Sequence, residues 1–380
     1  MVWVIKSWAD LLEIRSGRNQ KEVLDSNGDY PILGSAGKIM GYANSYLCEE
    51  GTTIVGRKGT IDNPLYINTN FWNVDTAFGL IAGDLLNKKY LYYFCKSFNF
   101  KNLDKGTTLP SLVKKDLLKI LMPVAPIPEQ KRIVAILDQA FAEIELARAH
   151  AQQNLNNARE LFASYLQQVF SQRGDGWPSE KFRKVCKFVR GPFGGALKKN
   201  IFKPEGFAVY EQQHAIYDQF TEVRYFIDNK KFSEMSRFEL LSGDLIMSCS
   251  GTMGKIAIVP DGIKQGIINQ ALLKLTPEPQ INRQFPKIWM QSPNFQTEIE
   301  SLSQGAAIKN MASVKILKEI NLPLPSLDEQ EKIVEIYNQI KLQTDNLSIV
   351  YENKIKALDE LKKSILQKAF TGELTKKSIG

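Results

Sequence analysis

Two long stretches of the chain place apolar residues at spacings of four and three. Ala147, Ala151, Leu155, Ala158, Phe162, Tyr165 and Val169 form one row, and Leu347, Tyr351, Ile355, Leu358, Leu361, Ile365 and Ala369 form the other. At about 3.6 residues per turn each row is a single stripe, the seam of a coiled coil. Neither stretch contains glycine or proline before Phe170 or Phe370. Each follows a proline-bearing segment, with Pro123, Pro126 and Pro128 in one and Pro323 and Pro325 in the other. Such a segment holds the backbone extended and then lets a helix begin. Two helices of about 42 residues, each about 63 Å long, are therefore predicted. They are expected to end at Arg173-Gly-Asp-Gly-Trp-Pro178 and at Thr371-Gly372. A helix with one apolar stripe cannot stand alone, so the two are expected to bury their stripes against each other.

The remaining regions have a different texture: short β-like runs punctuated by glycine. Thr52-Thr-Ile-Val55, Phe78-Gly-Leu-Ile81, Phe207-Ala-Val-Tyr210, Asp244-Leu-Ile-Met-Ser248 and Lys255-Ile-Ala-Ile-Val259 are examples. Short helical pieces such as Lys89-Tyr-Leu-Tyr-Tyr-Phe94 intervene, so each region reads as a compact mixed α/β module. The expected fold class is α+β. Its modules span 1–122 and 173–322, its long helices 123–172 and 323–374, and a basic tail 375–380 follows.

The helical stretches are copies of one another. Pro123, Glu129, Gln130, Ile133, Val134, Ile136, Gln139, Glu160, Leu161, Ser164, Leu166, Gln167 and Phe170 return two hundred positions later. The copies are Pro323, Glu329, Gln330, Ile333, Val334, Ile336, Gln339, Glu360, Leu361, Ser364, Leu366, Gln367 and Phe370. This period is too long for a solenoid and marks a tandem pair with internal two-fold symmetry, suited to a target made of two half-sites. The modules correspond only loosely. Gly59-Thr60 before Asp75-Thr-Ala-Phe78 answers Gly251-Thr252 before Asn269-Gln-Ala-Leu272, and Gly106-Thr-Thr-Leu109 answers Gly305-Ala-Ala-Ile308 one residue out of step.

Charge sharpens this picture. The net charge is +8, but Glu129–Phe170 carries about four bases against five acids and Asp328–Glu373 about seven against nine. The basic excess therefore lies in the modules and at Lys376 and Lys377, a distribution expected of nucleic-acid binding. No apolar run approaches the roughly 20 residues of a membrane span, and the start lacks the features of a signal peptide. Cys48, Cys95, Cys186 and Cys249 are scattered and His150 and His214 stand apart, so neither a disulfide framework nor a zinc site is expected. These features point to a cytoplasmic protein with buried, reduced thiols.

The chain resembles the DNA-specificity subunit of prokaryotic type I restriction–modification systems over nearly its full length. Three stretches carry the resemblance. One is the module exit, Leu121-Met-Pro-Val-Ala-Pro-Ile-Pro-Glu-Gln-Lys-Arg-Ile-Val134, with its copy Leu322-Pro-Leu-Pro-Ser-Leu-Asp-Glu-Gln-Glu-Lys-Ile-Val334. Another is Val55-Gly-Arg-Lys-Gly-Thr60 with Phe71-Trp-Asn-Val-Asp-Thr-Ala-Phe78. The last is Arg190-Gly-Pro-Phe-Gly-Gly195 with Ser248-Cys-Ser-Gly-Thr-Met-Gly-Lys255 and Asn269-Gln270. The resemblance implies two target recognition domains, each reading one half of a split sequence in double-stranded DNA. It also implies an antiparallel coiled coil that sets the spacer and docks two methyltransferase subunits, with restriction subunits as further partners. S-adenosylmethionine, ATP and Mg are then expected on those partners, and no cofactor on this chain.

The residues agree with a non-catalytic role. There is no G-x-G-x-x-G after a strand and no Asn/Asp-Pro-Pro-aromatic tetrad to hold a flipped base. Gly51-Thr-Thr-Ile-Val-Gly56 is spaced like a phosphate-binding loop, but Arg57-Lys58 follow where Lys and Ser/Thr are required. Candidate DNA contacts in the first module are Arg57, Lys58 and Thr60, whose glycine-flanked cations suit phosphates and guanine, together with Arg15 and Arg18. In the second they are Arg190, Lys198 and Lys199, the polar Ser250, Thr252 and Lys255, and Gln212 and Gln213 beside His214. Asp75 and Asn269 are expected to be buried structural hydrogen-bonders. Trp72, Tyr90, Tyr92, Tyr93 and Phe94 are expected to be core rather than a base-stacking platform. Rival readings are the specificity partner of another multi-subunit restriction enzyme, an enzyme with an unseen site, and a coiled-coil scaffold without a DNA role.

Overall fold

The computed structural model describes residues 3–171, 177–250, 252–303 and 314–375. Arg173–Gly176 of the expected helix break, Gly251, the Gly305–Ile308 repeat, and Lys376 and Lys377 of the tail lie outside the described residues. The chain divides into two compact units, one drawn from residues 1–152 and 352–380, the other from 153–351.

Among the described residues nine strands build the first unit: β1 Val4–Ser7, β2 Leu12–Ser16, β3 Tyr30–Leu33, β4 Ile39–Ala43, β5 Thr53–Gly56, β6 Leu65–Tyr66, β7 Trp72–Asn73, β8 Ala77–Ala82 and β9 Leu121–Val124. One sheet is antiparallel in the order β2-β8-β5-β6. A second has the order β4-β3-β7, with β3 and β7 parallel. β1 and β9 form a separate antiparallel ribbon that ties the start of the module to its exit. β5 is buried at all four positions, which is why it reads as a continuous apolar and β-branched run rather than an alternating one. The helix Lys88–Ser97 starts at Asn87, whose side chain accepts from the Lys89 and Tyr90 N–H groups, satisfying two otherwise orphaned donors.

The second unit repeats this plan strand for strand: β10 Ser179–Lys181, β11 Cys186–Arg190, β12 Phe207–Tyr210, β13 Phe226–Ile227, β14 Leu245–Ser248, β15 Ile256–Ile258, β16 Gly266–Ile268, β17 Leu272–Pro277 and β18 Asn321–Pro323. Its sheets are β11-β17-β14-β15 and β13-β12-β16, with β12 and β16 parallel, plus the ribbon β10-β18. The modules that share so little sequence are therefore the same fold twice.

The long helices are Ile127–Ser171 and Leu327–Thr371, 45 residues each. Their buried faces do more than meet each other. In the first unit Ile133, Leu137 and Phe141 of one helix and Leu366 and Ala369 of the other join a core with Trp8, Tyr90 and Phe94. The Phe370 ring lies 5.1 Å from Tyr90 and 5.4 Å from Phe94. Within this unit the helices run antiparallel, Glu145 pairing with Lys362 at 2.6 Å and Arg148 with Asp359 at 3.3 Å. In the second unit Leu166 and Phe170 meet Ile333, Val334 and Tyr337 in a core with Phe182, Phe285 and Trp289.

The repeated glutamines at the module exits are fully enclosed. Gln130 donates to the Leu85 and Ala125 carbonyls at 2.9 and 2.7 Å and accepts from the Asn87 N–H at 2.8 Å. Gln330 donates to the Pro325 carbonyl at 2.9 Å and accepts from the Asn282 N–H at 3.0 Å. Each thus fastens the first turn of a long helix to the loop before a module helix, satisfying buried backbone groups that water cannot reach.

The expected seam needs one correction. Ala151, Leu155, Ala158 and Ala369 are buried, as expected, but Leu347 and Leu361 are exposed. Their neighbours Ser348 and Lys362 turn inward instead, half-buried, and Thr344 is buried. Leucine was the wrong guide there because the Lys362 stem covers apolar surface as well: its ammonium lies 4.9 Å over the Phe141 ring centroid.

Candidate nucleic-acid interface

In the first module, β2 and β5 end and β8 begins at the same end of the four-stranded sheet, and their loops are knitted together by backbone hydrogen bonds. Gly17 donates to the Ala77 carbonyl and Arg18 to the Asn73 carbonyl, both at 3.0 Å. Arg57 and Lys58 donate to the Thr76 carbonyl at 2.8 and 3.1 Å, and Gly59 to Pro110 at 2.9 Å. Leu112 returns a bond to the Arg57 carbonyl at 2.9 Å. The approach is tight enough that a Cβ on Gly17 would sit 1.8 Å from the Val74 oxygen, so only glycine fits. Gly59 adds a φ of +82°.

Lys58 and Arg18 project from this rim exposed. Arg57 is half-buried, its Nη1 donating 3.3 Å to the Asp75 carbonyl and its guanidinium lying 5.9 Å over Phe78. Thr60 is half-buried beside it. Arg15 already has partners: it grips Glu13 at 2.9 and 2.8 Å and the Leu47 carbonyl at 3.0 Å. Its hydrogen bonds to the Glu13 carboxylate raise its pKa, against the opposing effect of partial burial. Lys105, absent from the sequence candidates, is exposed in the loop docked on Arg57–Gly59. That loop is pinned by Asp104, whose carboxylate accepts from the Ser111 and Gly106 N–H groups at 2.7 and 2.8 Å and is held below the usual carboxylate range by them. The clue in sequence was the Gly106 repeat itself, since a glycine-anchored loop beside a cation is a backbone meant to approach something closely.

The second module builds the same rim from other side chains. Gly191 donates to the Leu272 carbonyl, Cys249 to Ala271 and Asn269 to Tyr210, each at 2.9 Å. A Cβ on Gly191 would meet the Asn269 oxygen at 1.9 Å, as on Gly17. The loop after β5 crosses back with the Thr60 carbonyl against Gly56, where a Cβ would lie 1.9 Å away. After β14 the corresponding closure is a hydrogen bond from Ser248 Oγ to the Thr252 carbonyl at 2.6 Å. Where the first module carries Arg57-Lys58, this one carries Cys249-Ser250. Burial pushes the Cys249 thiol up to about 11, against the opposing pull of the neighbouring Arg190. Arg190, Thr252 and Lys255 are exposed around this loop and Ser250 is half-buried.

Gln212 and Gln213 follow β12 on the short helix Gln212–Tyr217, both half-buried. Gln212 Oε1 is enclosed without a hydrogen-bond partner among the described residues. His214 is different: it is buried, its Nδ1 accepting from the Glu211 N–H at 2.9 Å and its Nε2 donating to the Glu222 carbonyl at 3.0 Å. It is a structural cap and cannot read a base. Lys198 and Lys199 are exposed on a stretch whose Leu197 and Ile201 pack against Val209, Ile227 and Phe232, away from the bonds that join the rim loops.

Two expectations about carboxylate-like groups change. Asp75 is exposed in a turn; the buried hydrogen-bonder is its neighbour Asn73, between the Cys48 thiol at 3.3 Å and the Ala77 carbonyl at 3.3 Å. Asn269 is half-buried and caps its own turn through the Ala271 N–H at 3.0 Å. Trp72, Tyr90, Tyr93 and Phe94 are buried and Tyr92 partly so, as core residues should be. The stretch spaced like a phosphate-binding loop runs into the buried strand β5, a geometry with no phosphate cradle. All four thiols are buried. Among the described residues no helix is long and apolar enough to cross a membrane, and no cluster of His, Cys, Asp and Glu is placed to hold a metal ion.

The model of the type I restriction modification DNA specificity domain matches residues 2–157 and again 176–357, one copy for each module with its helix. The chain belongs to that family. Among its relatives are the type I restriction enzyme EcoBI specificity subunit of Escherichia coli, 25% identical over 78% of this chain and 67% of that one. The MjaVIII specificity subunit of Methanocaldococcus jannaschii is 24% identical over 78% and 72%. In solved structures, a chain from work on assembly and conformational transition of the type I R-M system superposes with a TM-score of 0.80 at 19% identity, covering 98% of both chains. The HsdS subunit of Thermoanaerobacter tengcongensis gives 0.60 at 18%, covering 98% and 97%. At such identities the likeness to these structures is one of fold.

Proposed function

We propose that this chain is the non-catalytic DNA-specificity subunit of a type I restriction–modification complex, each module reading one half of a bipartite duplex site. The observation that carries this is the rim: one backbone frame, built twice, bearing Arg18, Arg57, Lys58, Thr60 and Lys105 in one copy and Arg190, Gln212, Gln213, Ser250, Thr252 and Lys255 in the other. Fixed backbone with exchanged side chains is what reading two different half-sites requires, cations holding phosphate or guanine and amides or hydroxyls meeting base edges. Lys198 and Lys199 would extend the second footprint along the phosphate backbone, and Arg15 would support the first from within the sheet. The long helices set the unread spacer and dock the methyltransferase subunits. S-adenosylmethionine, ATP and Mg belong to those methyltransferase and restriction partners, and the complex works on cytoplasmic DNA. Mapping methylated bases in a host that expresses this chain with its methyltransferase tests the reading. A two-part methylated sequence with a fixed gap is expected, and adding whole helical turns to both long helices should lengthen the gap while leaving both half-sites unchanged. A continuous site, or half-sites that change with helix length, would overturn it.

A further inference from the structure

Each recognition module carries a cation in its four-stranded sheet, on a different strand in each. In the first, Arg15 of β2 stands opposite Gly79 of β8; in the second, Val189 of β11 stands opposite Lys274 of β17. Arg15 and Val189 are each the last residue but one of their strands, and Gly79 and Lys274 each the third. The cation and the residue facing it have therefore exchanged strands between the modules. Both cations nevertheless end on the same carbonyl of the frame. Arg15 donates to Leu47 at 3.0 Å and Lys274 Nζ to Glu239 at 2.5 Å. Leu47 precedes Thr53 of β5 by the same number of residues as Glu239 precedes Leu245 of β14. Among the described residues no backbone N–H reaches either carbonyl, so the cation satisfies it.

The surroundings are exchanged as well. A Cβ on Gly79 would lie 2.6 Å from Cys48 Sγ and 3.3 Å from the Thr52 methyl, which leaves no room for a lysine. Before β14 the place of Thr52 is taken by Asp244, buried and 3.8 Å from Lys274 Nζ. Arg15 instead takes its acid from its own strand, Glu13, whose counterpart in β11 is Lys187. No residue of one arrangement recurs at its place in the other. A hydrogen bond reached by two unrelated routes matters for where it lands.

It lands at the joint between the two sheets of a module. Arg15 and Lys274 belong to the four-stranded sheets. The carbonyls belong to segments bonded to the three-stranded ones: Leu47 N–H donates to Phe71 just before β7 and Leu240 N–H to Gly266 of β16, both at 2.9 Å. At the rim, just beyond these ties, Gly17 presses on the Val74 carbonyl after β7, and Gly191 on the Asn269 carbonyl after β16. Each joint thus has a backbone contact at the rim and a charged one beneath it. Both sheets feed the rim: in the second module β14 leads to Ser250 and Thr252, and β12 to Gln212 and Gln213. We infer that Arg15 and Lys274 are positioning residues, each locking the two sheets of its module so that the rim loops keep a single geometry. The inference rests on the proposed function for what the rim reads. It adds that the specificity of each half-site depends on a side chain that touches no DNA.

The test uses the full chain with its methyltransferase subunit, on duplexes carrying the mapped site or single-base changes in either half. Lys274→Gly with Asp244→Thr copies the first module's pair and removes the tie without stranding a buried carboxylate. Well below its thermal midpoint, this variant should lose about tenfold in discrimination at one half-site and nothing at the other. Adding Val189→Arg with Lys187→Glu copies the first module's route and should restore both the discrimination and the thermal midpoint. Arg15→Val should produce the same loss at the opposite half-site, and Arg15→Lys, which keeps a cation for the Leu47 carbonyl, should recover much of it. The Arg15 pair carries the test alone should the second-module variants fail to fold. A lowered midpoint with unchanged discrimination would leave the cations as stabilising ties and overturn the inference, as would a four-residue variant no better than the two-residue one. A wild-type complex that discriminates at neither half-site would overturn the proposed function, and the inference with it.

Discussion

The two recognition modules hold the same strand order, the same parallel pair and the same glycine pressed against a carbonyl, Gly17 on Val74 and Gly191 on Asn269. Yet at one loop the first has Arg57-Lys58 and the second Cys249-Ser250, and where the first closes on Gly56 the second uses the Ser248 hydroxyl. The difference teaches which features of such a module belong to its frame. Backbone donors and acceptors must pair wherever they are buried, so the hydrogen-bond pattern between rim loops survives sequence drift. The side chains that point outward are free of that constraint, so they are the ones that diverge.

Besides apolar packing and the Tyr93–Asp138 and Tyr337–Gln291 bonds, one buried amide in each unit ties the module to its helix, and the two amides differ in a way that can be measured. Gln130 has three backbone partners and Gln330 two. Leaving buried carbonyls and an N–H without partners costs more than the hydrogen bonds themselves contribute. Gln130→Ala should therefore destabilise the first unit by about 2–3 kcal/mol and Gln330→Ala the second by about 1–2 kcal/mol. Hydrogen exchange in Lys88–Ser97 and in Gln284–Gln291 separates the two, each change loosening only its own module helix. Equal losses would show that the number of partners is not what anchors a module.

A somewhat smaller effect is expected at the rim. Arg57→Ala with Lys58→Ala should weaken binding to one half-site about 10–30-fold and make the salt dependence shallower by about one to two phosphate contacts. Lys58→Ala alone should produce most of the change in salt dependence, because Arg57 is already engaged by the Asp75 carbonyl and the Phe78 face. Ser250→Ala with Thr252→Ala should alter sequence preference at the other half-site and leave the salt dependence unchanged. Titrating each half-site separately at several salt concentrations checks this. A matching change in salt dependence from the second pair would erase the distinction between the charged Arg57-Lys58 pair and the neutral Ser250 and Thr252.

Much of this was legible in the chain. The absence of Gly and Pro between Pro128 and Phe170 and the fixed register of the repeat gave both long helices, and the scattered apolar cysteines gave buried thiols. What stayed hidden was tertiary. That the modules share every strand could not be seen, because sheet pairing depends on backbone and tolerates almost any apolar side chain at a given position. His214 looked like a polar loop residue because nothing local reveals that Glu222, eight residues on, closes over it. Asp75 drew attention as the charged member of its turn, although burial favours the uncharged amide of Asn73.

The seam gives the finest comparison, at one position of the repeat. Phe162 meets the Tyr337 ring at 5.3 Å in the second unit, whereas Lys362 lies over Phe141 and reaches Glu145 in the first. Lys362→Met keeps the apolar stem and removes the charge, and should cost only about 0.3–0.5 kcal/mol because the pair is largely solvated. Lys362→Ala removes the stem as well and should approach about 1 kcal/mol. The hydrogen bond from Lys362, followed by its charge, holds the Glu145 carboxyl below the usual carboxylate range. A depressed folded-state pKa stabilises above the unfolded value and ceases to do so as pH falls through the folded one. The gap between wild type and Lys362→Met should therefore close on acidification through the carboxylate range, while the further loss in Lys362→Ala persists. Urea unfolding of the three chains at neutral and acidic pH distinguishes these. If both gaps closed together, the lysine would stand in this seam only as a charge, and the aromatic at Phe162 would have no counterpart in it.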